Sequence, residues 1–397
     1  MMRGILERNW LGKMNLLPFI RFAKRVLPPN VYFSAKRYYE LSSLRPLFLS
    51  LPYGLFPKYQ YPPRLTISLT TRCNLQCFIC RPEGLKGKDL KFENIYKLKK
   101  AIKYAQTINL TGWGEPLLYP RFEDVLNYIY SLNCKKNLIQ VTTNGTRLSD
   151  HTARLLKGRL KSLTISLNAA TAETYNKQMK NGDFEKTLSA IRRFLSSLGE
   201  KERLKINLSF VAHTRNFQEI PDFVVLAHDL GISAVTIIHY MVGIAEHRQY
   251  SLLNVRNEYN VIVDRAKAIG NRLDVLVHTP RQFFSEKKRS VNECLSPFNE
   301  CFIEVNGDVF PCCFCGTYRI GNVYKGTFED VWFSEAYRKL RKKRYLQGCQ
   351  NCMAFIPLDE YGAHFTSNFK ETTAFKEIEQ EFKIRQKLQF REKKNEK

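Results

Sequence analysis

The chain has 397 residues, of which 44% are hydrophobic and 25% are charged, a composition typical of globular proteins that bury a large core. Its formal net charge of +26 at pH 7 excludes an acidic protein and is compatible with a negatively charged partner, such as nucleic acid or an anionic membrane surface. The sequence contains no run of 18 uncharged apolar residues, which argues against a membrane-spanning helix.

Most of the eleven cysteines fall into two clusters, at residues 73–80 and 294–352. Charged residues near the start of the chain, at Arg3, Glu7 and Arg8, interrupt the apolar run that a secretory signal requires. The sequence therefore predicts a protein of the reducing cytoplasm. In that compartment, clustered cysteines are typical of metal or redox ligands rather than of disulfide bonds.

The first segment, residues 1–63, is basic, aromatic and rich in proline. Phe19, Ile20 and Phe22 alternate with basic residues such as Arg21, so a helix here would carry one apolar stripe and one basic stripe. Such a segment can make peripheral contact with a membrane, where each basic residue near anionic lipid contributes about 1 kcal/mol. The alternative is that the apolar residues pack against the next domain. Prolines at both ends of the candidate helix favour this alternative.

The second segment, from residue 64 to about residue 270, alternates apolar runs typical of strands with amphipathic stretches typical of helices. Six strands are predicted, at Leu65–Leu69, Thr107–Leu110, Leu138–Thr142, Ser162–Leu167, Lys205–Val211 and Ala234–His239. Six strand–helix units at this spacing predict an α/β fold, a partial (β/α)6 barrel similar to a TIM barrel. On such a barrel the chemistry takes place where the strands end and the loops begin.

The loop after the first predicted strand contains Cys73, Cys77 and Cys80, spaced C-x3-C-x2-C. A structural zinc site takes four protein ligands, and so does an ordinary 4Fe–4S cluster. Three thiolates can hold a 4Fe–4S cluster and leave one iron free to chelate the amine and carboxylate of a small molecule. A zinc site completed by a distant ligand is the alternative.

This loop resembles the signature of the radical S-adenosylmethionine (SAM) family, which is C-x3-C-x2-C after the first barrel strand. The resemblance implies that Cys73, Cys77 and Cys80 are the catalytic ligands of a 4Fe–4S cluster whose open iron binds SAM. It further implies reductive cleavage of SAM to a 5′-deoxyadenosyl radical, which abstracts hydrogen from a substrate. Ile79 would contact adenine, and an electron donor such as flavodoxin or ferredoxin would be a partner.

Three further segments are similar to the family's SAM-binding positions. The stretch "TGWGEPLL", residues 111–118, is similar to the glycine-rich GGEP loop that receives the methionyl amino group, with Trp113 in place of the first glycine. Glycines let backbone carbonyls approach a bound ammonium closely. The stretches "TTNGTRL" (142–148) and "ISLNAATAETY" (165–175) follow the third and fourth strands. The SAM contacts implied by the resemblance are Gly112, Gly114, Glu115, Asn144, Ser166 and Asn168.

The third segment, residues 271–357, carries the second cysteine cluster. It resembles the SPASM extension of radical SAM enzymes, in the shortened form called twitch because no cysteine follows the last pair. The resemblance implies one auxiliary 4Fe–4S cluster that relays electrons. Its ligands would be Cys294, Cys312, Cys349 and Cys352.

Several alternatives remain open for this second cluster. Cys313 could replace Cys312 as a ligand, Cys301 could replace Cys294, and the metal could be structural zinc. A hairpin that turns at Asn306 and Gly307 is predicted to present the cysteine that follows it. The cysteines outside the ligand set are expected to be ordinary buried thiols, namely Cys134, Cys301, Cys313 and Cys315.

The last segment, residues 358–397, is charged and predicted to be helical. These features together predict a radical SAM oxidoreductase that acts on a peptide or a small molecule. The positive charge, including the run from Arg338 to Arg344, leaves an RNA-modifying enzyme as one alternative. We do not expect a nucleic-acid partner, because the sequence contains no recognisable RNA-binding module. A second alternative is an iron–sulfur electron carrier that does not cleave SAM.

Overall fold

The computed structural model describes residues 60–80, 87–134, 138–284, 294–312 and 318–343, together with the single positions 49 and 380. The chain divides into two compact units, and all of the strands and helices named here lie in the second, Tyr61–Lys397. Predictions made for the N-terminal segment and the charged tail fall almost entirely outside the described residues. The same holds for Cys313, Cys315, Cys349 and Cys352. These predictions stay predictions.

The described residues contain twelve β-strands. They are β1 (Arg64–Ile67), β2 (Gln76–Cys77), β3 (Thr107–Leu110), β4 (Ile139–Thr143), β5 (Leu160–Ser166), β6 (Met179–Lys180), β7 (Ile206–Ala212), β8 (Ala234–His239), β9 (Leu276–His278), β10 (Glu300–Ile303), β11 (Asp308–Phe310) and β12 (Gly321–Asn322).

Eleven α-helices lie between and after these strands. They are α1 (Lys99–Tyr104), α2 (Phe122–Leu132), α3 (Asp150–Leu156), α4 (Ala172–Gln178), α5 (Phe184–Ser196), α6 (Glu200–Arg203), α7 (Ile220–Asp229), α8 (Arg256–Leu273), α9 (Ser296–Asn299), α10 (Phe328–Trp332) and α11 (Glu335–Lys343). Short 3-10 turns occupy Phe92–Leu98, Pro116–Leu118, Phe217–Glu219, Ala245–Tyr250 and Leu252–Val255. Among the described residues, no helix is long and apolar enough to cross a bilayer.

Ten strands form one sheet in the order β12-β11-β10-β1-β3-β4-β5-β7-β8-β9. The neighbours from β10 to β9 are all parallel, and the last two pairs, β10 with β11 and β11 with β12, are antiparallel. The six predicted barrel strands are therefore present in the predicted order, as β1, β3, β4, β5, β7 and β8. This confirms the α/β fold with a partial barrel of parallel strands.

Two parallel pairings were not predicted, and they extend the parallel part of the sheet at both ends. Strand β9 follows α8, which continues past residue 270 to Leu273, and pairs with β8. Strand β10 comes from the third segment and pairs with β1, with Leu65 opposite Cys301 and Ile67 opposite Ile303. All four of these side chains are buried, so β10 continues the apolar face of the barrel beyond its first strand. The domain boundaries drawn from the sequence stay predictions.

The predicted hairpin of the third segment is confirmed, with its strands one to two residues from the expected positions. Strands β10 and β11 pair with Ile303 opposite Val309. The turn closes where the Gly307 amide donates to the carbonyl of Glu304 at 2.8 Å. Gly307 has a φ of +86°, a left-handed conformation that favours glycine.

Alternation along the strands gives the sheet two unlike faces. One face is apolar and fully buried, as at Leu65, Ile108 and Leu163, because the connecting helices cover it. The other face, called the inner face below, carries polar side chains that the strand register places side by side. Three rows cross it from β1 to β8: Thr66, Asn109, Gln140 and Ser162; then Thr142, Thr164 and Asn207; then Ser166, Ser209 and Thr236. On the flanking strands, Phe302 continues the first row and His278 the third.

Helix α11 turns one basic residue inward. Arg341 is only 8% exposed, and it donates through Nε to the carbonyl of Pro297 at 3.0 Å and through Nη1 to that of Trp332 at 2.9 Å. Its guanidinium lies 4.2 Å from the Trp332 ring centroid and 4.5 Å from that of Tyr337. The basic run that motivated the RNA alternative is therefore not one continuous exposed strip.

Replacement of Arg341 by Lys should lower the free energy of unfolding by about 2 kcal/mol, because an ammonium cannot reproduce the two fixed hydrogen bonds and the ring stacking. The matched control is Arg338→Lys on the exposed side of the same helix, which should change stability little. Thermal unfolding followed by circular dichroism compares the two variants. Equal midpoints for both would show that Arg341 does not brace this helix.

Candidate active site

The cysteine loop runs from the end of β1 to Cys80 and is tied across the sheet to the segment after β5. Strand β2 pairs antiparallel with β6, with Cys77 opposite Met179, and the Cys77 Sγ lies 3.3 Å from the Met179 Sδ. The Phe78 amide donates to the Gln178 carbonyl at 3.4 Å. These contacts fix the predicted cluster ligands at the carboxyl ends of the parallel strands.

The three cysteine thiols of this loop influence one another. Cys73 and Cys77 are half-buried, and Cys80 is exposed. Burial, followed by the nearby charges of Cys80 and Cys73, raises the pKa of the Cys77 thiol to about 12. Three thiolates at this spacing would repel one another, and a bound cationic metal centre would offset that repulsion.

The surroundings of Cys73 fit an iron–sulfur ligand. Its Sγ accepts hydrogen bonds from the Leu75 amide at 3.4 Å and from the Asn144 Nδ2 at 3.7 Å, and both favour the thiolate. Within the described part of the chain, no three His, Cys, Asp or Glu side chains are grouped so as to hold a single metal ion. In a 4Fe–4S cluster each cysteine binds a different iron, so its ligands need not converge on one point. The absence of such a group therefore does not argue against a cluster held by this loop.

The loop after β3, which contains Gly112 and Gly114, lies directly against the residues that precede the first cysteine. A Cβ added at Gly114 would lie 2.4 Å from the Arg72 carbonyl oxygen and 2.5 Å from that of Thr70. A Cβ at Gly112 would lie 2.1 Å from the Ser68 Oγ. The Glu115 amide completes the contact by donating to the Arg72 carbonyl at 2.8 Å. Only glycine permits so close an approach at these positions.

The Glu115 carboxylate is 2% exposed and is fully engaged with protein groups. It accepts hydrogen bonds from the Thr143 hydroxyl at 2.8 Å, the Asn144 amide at 2.6 Å and the Leu117 amide at 3.1 Å. Burial raises its pKa, and these three donors partly offset that effect. The structure thus shows Glu115 joining the loops after β3 and β4, while its contact with SAM stays a prediction.

Asn144 connects the loop after β4 to the cysteine loop. Its Nδ2 donates to the Asn74 Oδ1 at 3.0 Å, and its Oδ1 accepts from the Thr146 hydroxyl at 2.7 Å. The Asn74 Nδ2 in turn donates to the same Thr146 hydroxyl at 2.9 Å, which closes a small ring of polar contacts. Sequence reasoning identified Asn144 but missed Asn74, whose importance is visible only once the two loops meet.

Ser166 and Asn168 lie at the end of β5 and bind groups of β7. The Ser166 Oγ is 3.1 Å from the Ser209 Oγ, and the Asn168 Oδ1 accepts from the Val211 amide at 2.9 Å. Asn168 adopts a φ of 59°, which an asparagine tolerates better than most residues. Ile79, the predicted adenine contact, is half-buried in the cysteine loop. The predicted contacts of these three residues with SAM stay predictions.

A cluster of rings around Phe78 was not found from the sequence. The Phe78 ring centroid lies 5.0 Å from that of His213, 5.3 Å from that of Tyr250 and 5.5 Å from that of His247. These residues come from separate loops, so no spacing in the sequence signals their meeting. Burial lowers the pKa of His213 to about 3, which keeps this imidazole neutral. The ring cluster anchors the middle of the cysteine loop to the ends of β7 and β8.

The cysteines of the third segment differ in burial. Cys301 is 1% exposed, and burial raises the pKa of its thiol to about 12, as expected of a structural thiol. Cys294 and Cys312 are half-buried. This contrast favours Cys294 over Cys301 as a ligand, although the choice stays a prediction. Outside this segment, Cys134 is exposed and donates to the Tyr130 carbonyl at 3.1 Å, so its prediction as a buried thiol was wrong.

Trp113 stands where the family's loop has its first glycine, and its side chain contacts a residue of the third segment. Its indole interacts with the carboxylate of Glu304, which follows β10 directly and also lies close to the Val305 amide. Burial raises the pKa of Glu304 above its ordinary value of 4.5, and interactions with Trp113, Val305 and Ser68 lower it in part. The pair links the loop after β3 to the hairpin that leads to Cys312.

Because the folded-state pKa of Glu304 is raised, its contribution to stability is complete below pH 4.5 and is lost as the pH rises through the folded pKa. Ionisation of Glu304 should also change the emission of Trp113, because the indole interacts with this carboxylate. We expect a fluorescence titration with a midpoint above 4.5 in the native protein. Trp113→Phe gives the background from the other tryptophans, and Glu304→Gln should abolish the transition. A midpoint at or below 4.5 would contradict the assignment.

Two family models match the sequence. The model of the radical SAM superfamily matches residues 67–227, and that of an iron–sulfur cluster-binding domain, SPASM, matches residues 294–353. Together these segments span more than half of the chain. The second segment begins at Cys294 and ends one residue after Cys352.

Two relatives are similar in sequence over most of the chain. A GTP 3′,8-cyclase of Clostridium botulinum is 28% identical over 300 residues, which cover 74% of this chain and 87% of that protein. AlbA, the antilisterial bacteriocin subtilosin biosynthesis protein of Bacillus subtilis, is 26% identical over 327 residues, which cover 75% of this chain and 65% of that protein.

Solved structures share the fold. Streptococcus suis SuiB bound to its precursor peptide SuiA superposes with a TM-score of 0.53 at 17% identity, over 79% of this chain and 80% of that one. The enzyme anSMEcpe with bound AdoMet and a peptide superposes with a TM-score of 0.57 at 18% identity, over 77% of this chain and 92% of that one. At such identities the likeness concerns the fold alone.

Proposed function

Because the chain belongs to the radical SAM superfamily and carries a SPASM domain, we propose that it is an enzyme that oxidises or cross-links a peptide. The cofactors that these domains imply are a 4Fe–4S cluster, SAM and an auxiliary iron–sulfur cluster. When bound, the first cluster and SAM supply a 5′-deoxyadenosyl radical that abstracts hydrogen from the substrate.

In this proposal the chain's own residues hold and orient the cofactors. Cys73, Cys77 and Cys80 are the ligands of the first cluster, and the Asn144 amide group stabilises the thiolate of Cys73. The loop of Gly112 and Gly114 presents backbone carbonyls to the methionyl ammonium of SAM, as in the family it resembles. The Glu115 carboxylate keeps that loop fixed against the loop after β4, so that both sides of the SAM site keep their geometry.

The observation that carries the substrate class is the polarity of the inner face. Between β1 and β8 its three rows consist of Ser, Thr, Asn and Gln side chains, and none contains Lys or Arg. Phe302 and His278 continue the first and third rows on the flanking strands β10 and β9. The described inner-face cations lie near the opposite, amino-terminal ends of the strands, where Arg64 pairs with Glu300 and Lys161 donates to the Thr107 hydroxyl. Neutral donors and acceptors suit the amides of a peptide, whereas a nucleoside triphosphate calls for cations.

Similar proteins support this choice without deciding it. AlbA takes part in the biosynthesis of a bacteriocin, and SuiB and anSMEcpe were solved with peptides bound. The GTP 3′,8-cyclases are a competing precedent, since they match the chain at comparable identity. The RNA alternative loses support because Arg341, within its basic run, is buried. An electron carrier would have no need of a cluster loop with three ligands.

The third segment would supply the electron acceptor for the oxidation. We assign the auxiliary cluster to Cys294, Cys312, Cys349 and Cys352, whose four thiolates close its coordination sphere and suit it to electron relay. Strand β10 belongs to the same sheet as β1, and the Trp113–Glu304 contact joins the hairpin to the loop after β3. In this proposal the domain that accepts an electron from the substrate is joined directly to the barrel.

Anaerobically reconstituted protein should bind about eight irons, and changing Cys73, Cys77 and Cys80 to Ala should leave about four and abolish formation of 5′-deoxyadenosine. Changing Cys349 and Cys352 to Ala should instead preserve SAM cleavage and block oxidation of the substrate. The probes are GTP and the short peptides encoded by the genes that flank this one, each followed by mass spectrometry. Loss of two hydrogen atoms from the peptide supports the proposal. Conversion of GTP with the peptide unchanged would overturn it.

A further inference from the structure

Three segments meet around Phe78, on the ring cluster that anchors the cysteine loop. The end of α4 joins the loop after β7 where the His213 Nε2 lies 3.0 Å from the Gln178 Oε1. The loop after β7 joins the turn Ala245–Tyr250 where the Thr214 amide donates to the Tyr250 carbonyl at 3.1 Å. Residues close in sequence to these contacts therefore share one surface beside the cysteine loop.

These segments carry four exposed cations, here called the basic rim: Lys177, Lys180, Arg215 and Arg248. Among the described residues, none of the four forms an ion pair. Residues 177–180, 213–216 and 246–250 contain a single acid, Glu246. Because burial keeps the neighbouring His213 neutral and Glu246 offsets only one of the four cations, this surface carries a net positive charge at ordinary pH.

Arg215 is held in place by the ring cluster. Its guanidinium carbon lies 4.0 Å from the Tyr250 ring centroid and 5.7 Å from the Phe78 ring centroid. A cation stacked on two rings loses part of its rotamer freedom before any partner arrives, which lowers the entropic cost of binding an anion. Phe78 is the chain neighbour of Cys77, and Cys80 beyond it is exposed. The basic rim thus borders the cysteine loop on a face open to solvent.

We propose that the basic rim is the docking surface for a small acidic electron-transfer protein of the flavodoxin or ferredoxin class. The inference rests on the proposed function, which requires one electron for each SAM cleaved. The donor is oxidised by one electron and the SAM sulfonium is reduced by one, with cleavage of one C–S bond and no proton transfer. Electron-transfer complexes are small and transient, and opposite charges raise their association rate rather than their lifetime.

The position of the rim favours an electron donor over a peptide substrate. A peptide must reach the inner face, whose rows are neutral, whereas a donor needs only the shortest approach to the cysteine loop. Unpaired exposed cations cost little in isolation, and they steer an acidic protein from a distance of about a Debye length, 8–10 Å at physiological salt. The rim therefore fits a partner recognised by charge and contacted briefly.

The test is the double variant Arg215→Glu with Arg248→Glu, in the full-length reconstituted enzyme. With photoreduced flavodoxin as donor at low salt, the initial rate of 5′-deoxyadenosine formation should fall about tenfold. With dithionite, a small reductant that needs no docking surface, the rate should not change. The control is Arg265→Glu with Arg272→Glu on α8, which makes the same change in net charge at exposed positions away from the rim.

Each arm of the experiment has a decisive outcome. Added salt should slow flavodoxin-driven cleavage in the native protein and leave the rim variant unaffected. If the rim variant lost as much of its SAM-cleavage rate with dithionite as with flavodoxin, the proposal would be overturned, since the arginines would then support the cysteine loop itself. The proposal would also be overturned if the α8 control lost as much of the flavodoxin-driven rate as the rim variant, or if the rim variant kept the native rate with flavodoxin. Failure of the native protein to cleave SAM with dithionite would instead refute the proposed function.

Discussion

The antiparallel pairing of β2 with β6 is the constraint on which the rest of the site depends. It pulls a loop that begins after β1 across the sheet to the segment after β5, with Cys77 opposite Met179. The loop after β3 can then lie against Arg72 only because Gly114 has no side chain. Asn144 reaches the Cys73 thiol from the loop after β4. Three separate strand ends are in this way brought to one group of thiols.

The two faces of the sheet have different roles. Helices cover the apolar face and supply the burial that stabilises the barrel. The inner face keeps neutral hydrogen-bonding groups in register, and the basic rim puts the cations elsewhere, beside the cysteine loop. The hairpin of the third segment adds β10 to the sheet next to β1 and brings Glu304 to Trp113. Radical formation, substrate binding and electron relay would thus occur in one continuous structure.

Much of the barrel could be predicted because its signals are local. Apolar runs at regular spacing located all six core strands, and the C-x3-C-x2-C motif located the cluster loop. Strand β9 was missed because its three residues give too short a pattern. Strand β10 was predicted only as part of a hairpin, because its pairing with β1 joins residues more than 230 positions apart. The ring cluster on Phe78 has no sequence signal for the same reason. Cys134 was misjudged because its helix ends at the surface, where an exposed thiol can bind its own backbone.

The central claim is that Cys73, Cys77 and Cys80 hold a cluster with one iron open to SAM. Electron–nuclear double resonance on the reduced protein tests it most directly, with SAM labelled by 15N in the amino group and by 17O in the carboxylate. The account predicts hyperfine coupling of both labels to the cluster. It also predicts that both couplings disappear in the variant that lacks the three cysteines. A reduced cluster that shows no coupling to either label, or zinc in place of iron at this loop, would contradict the account.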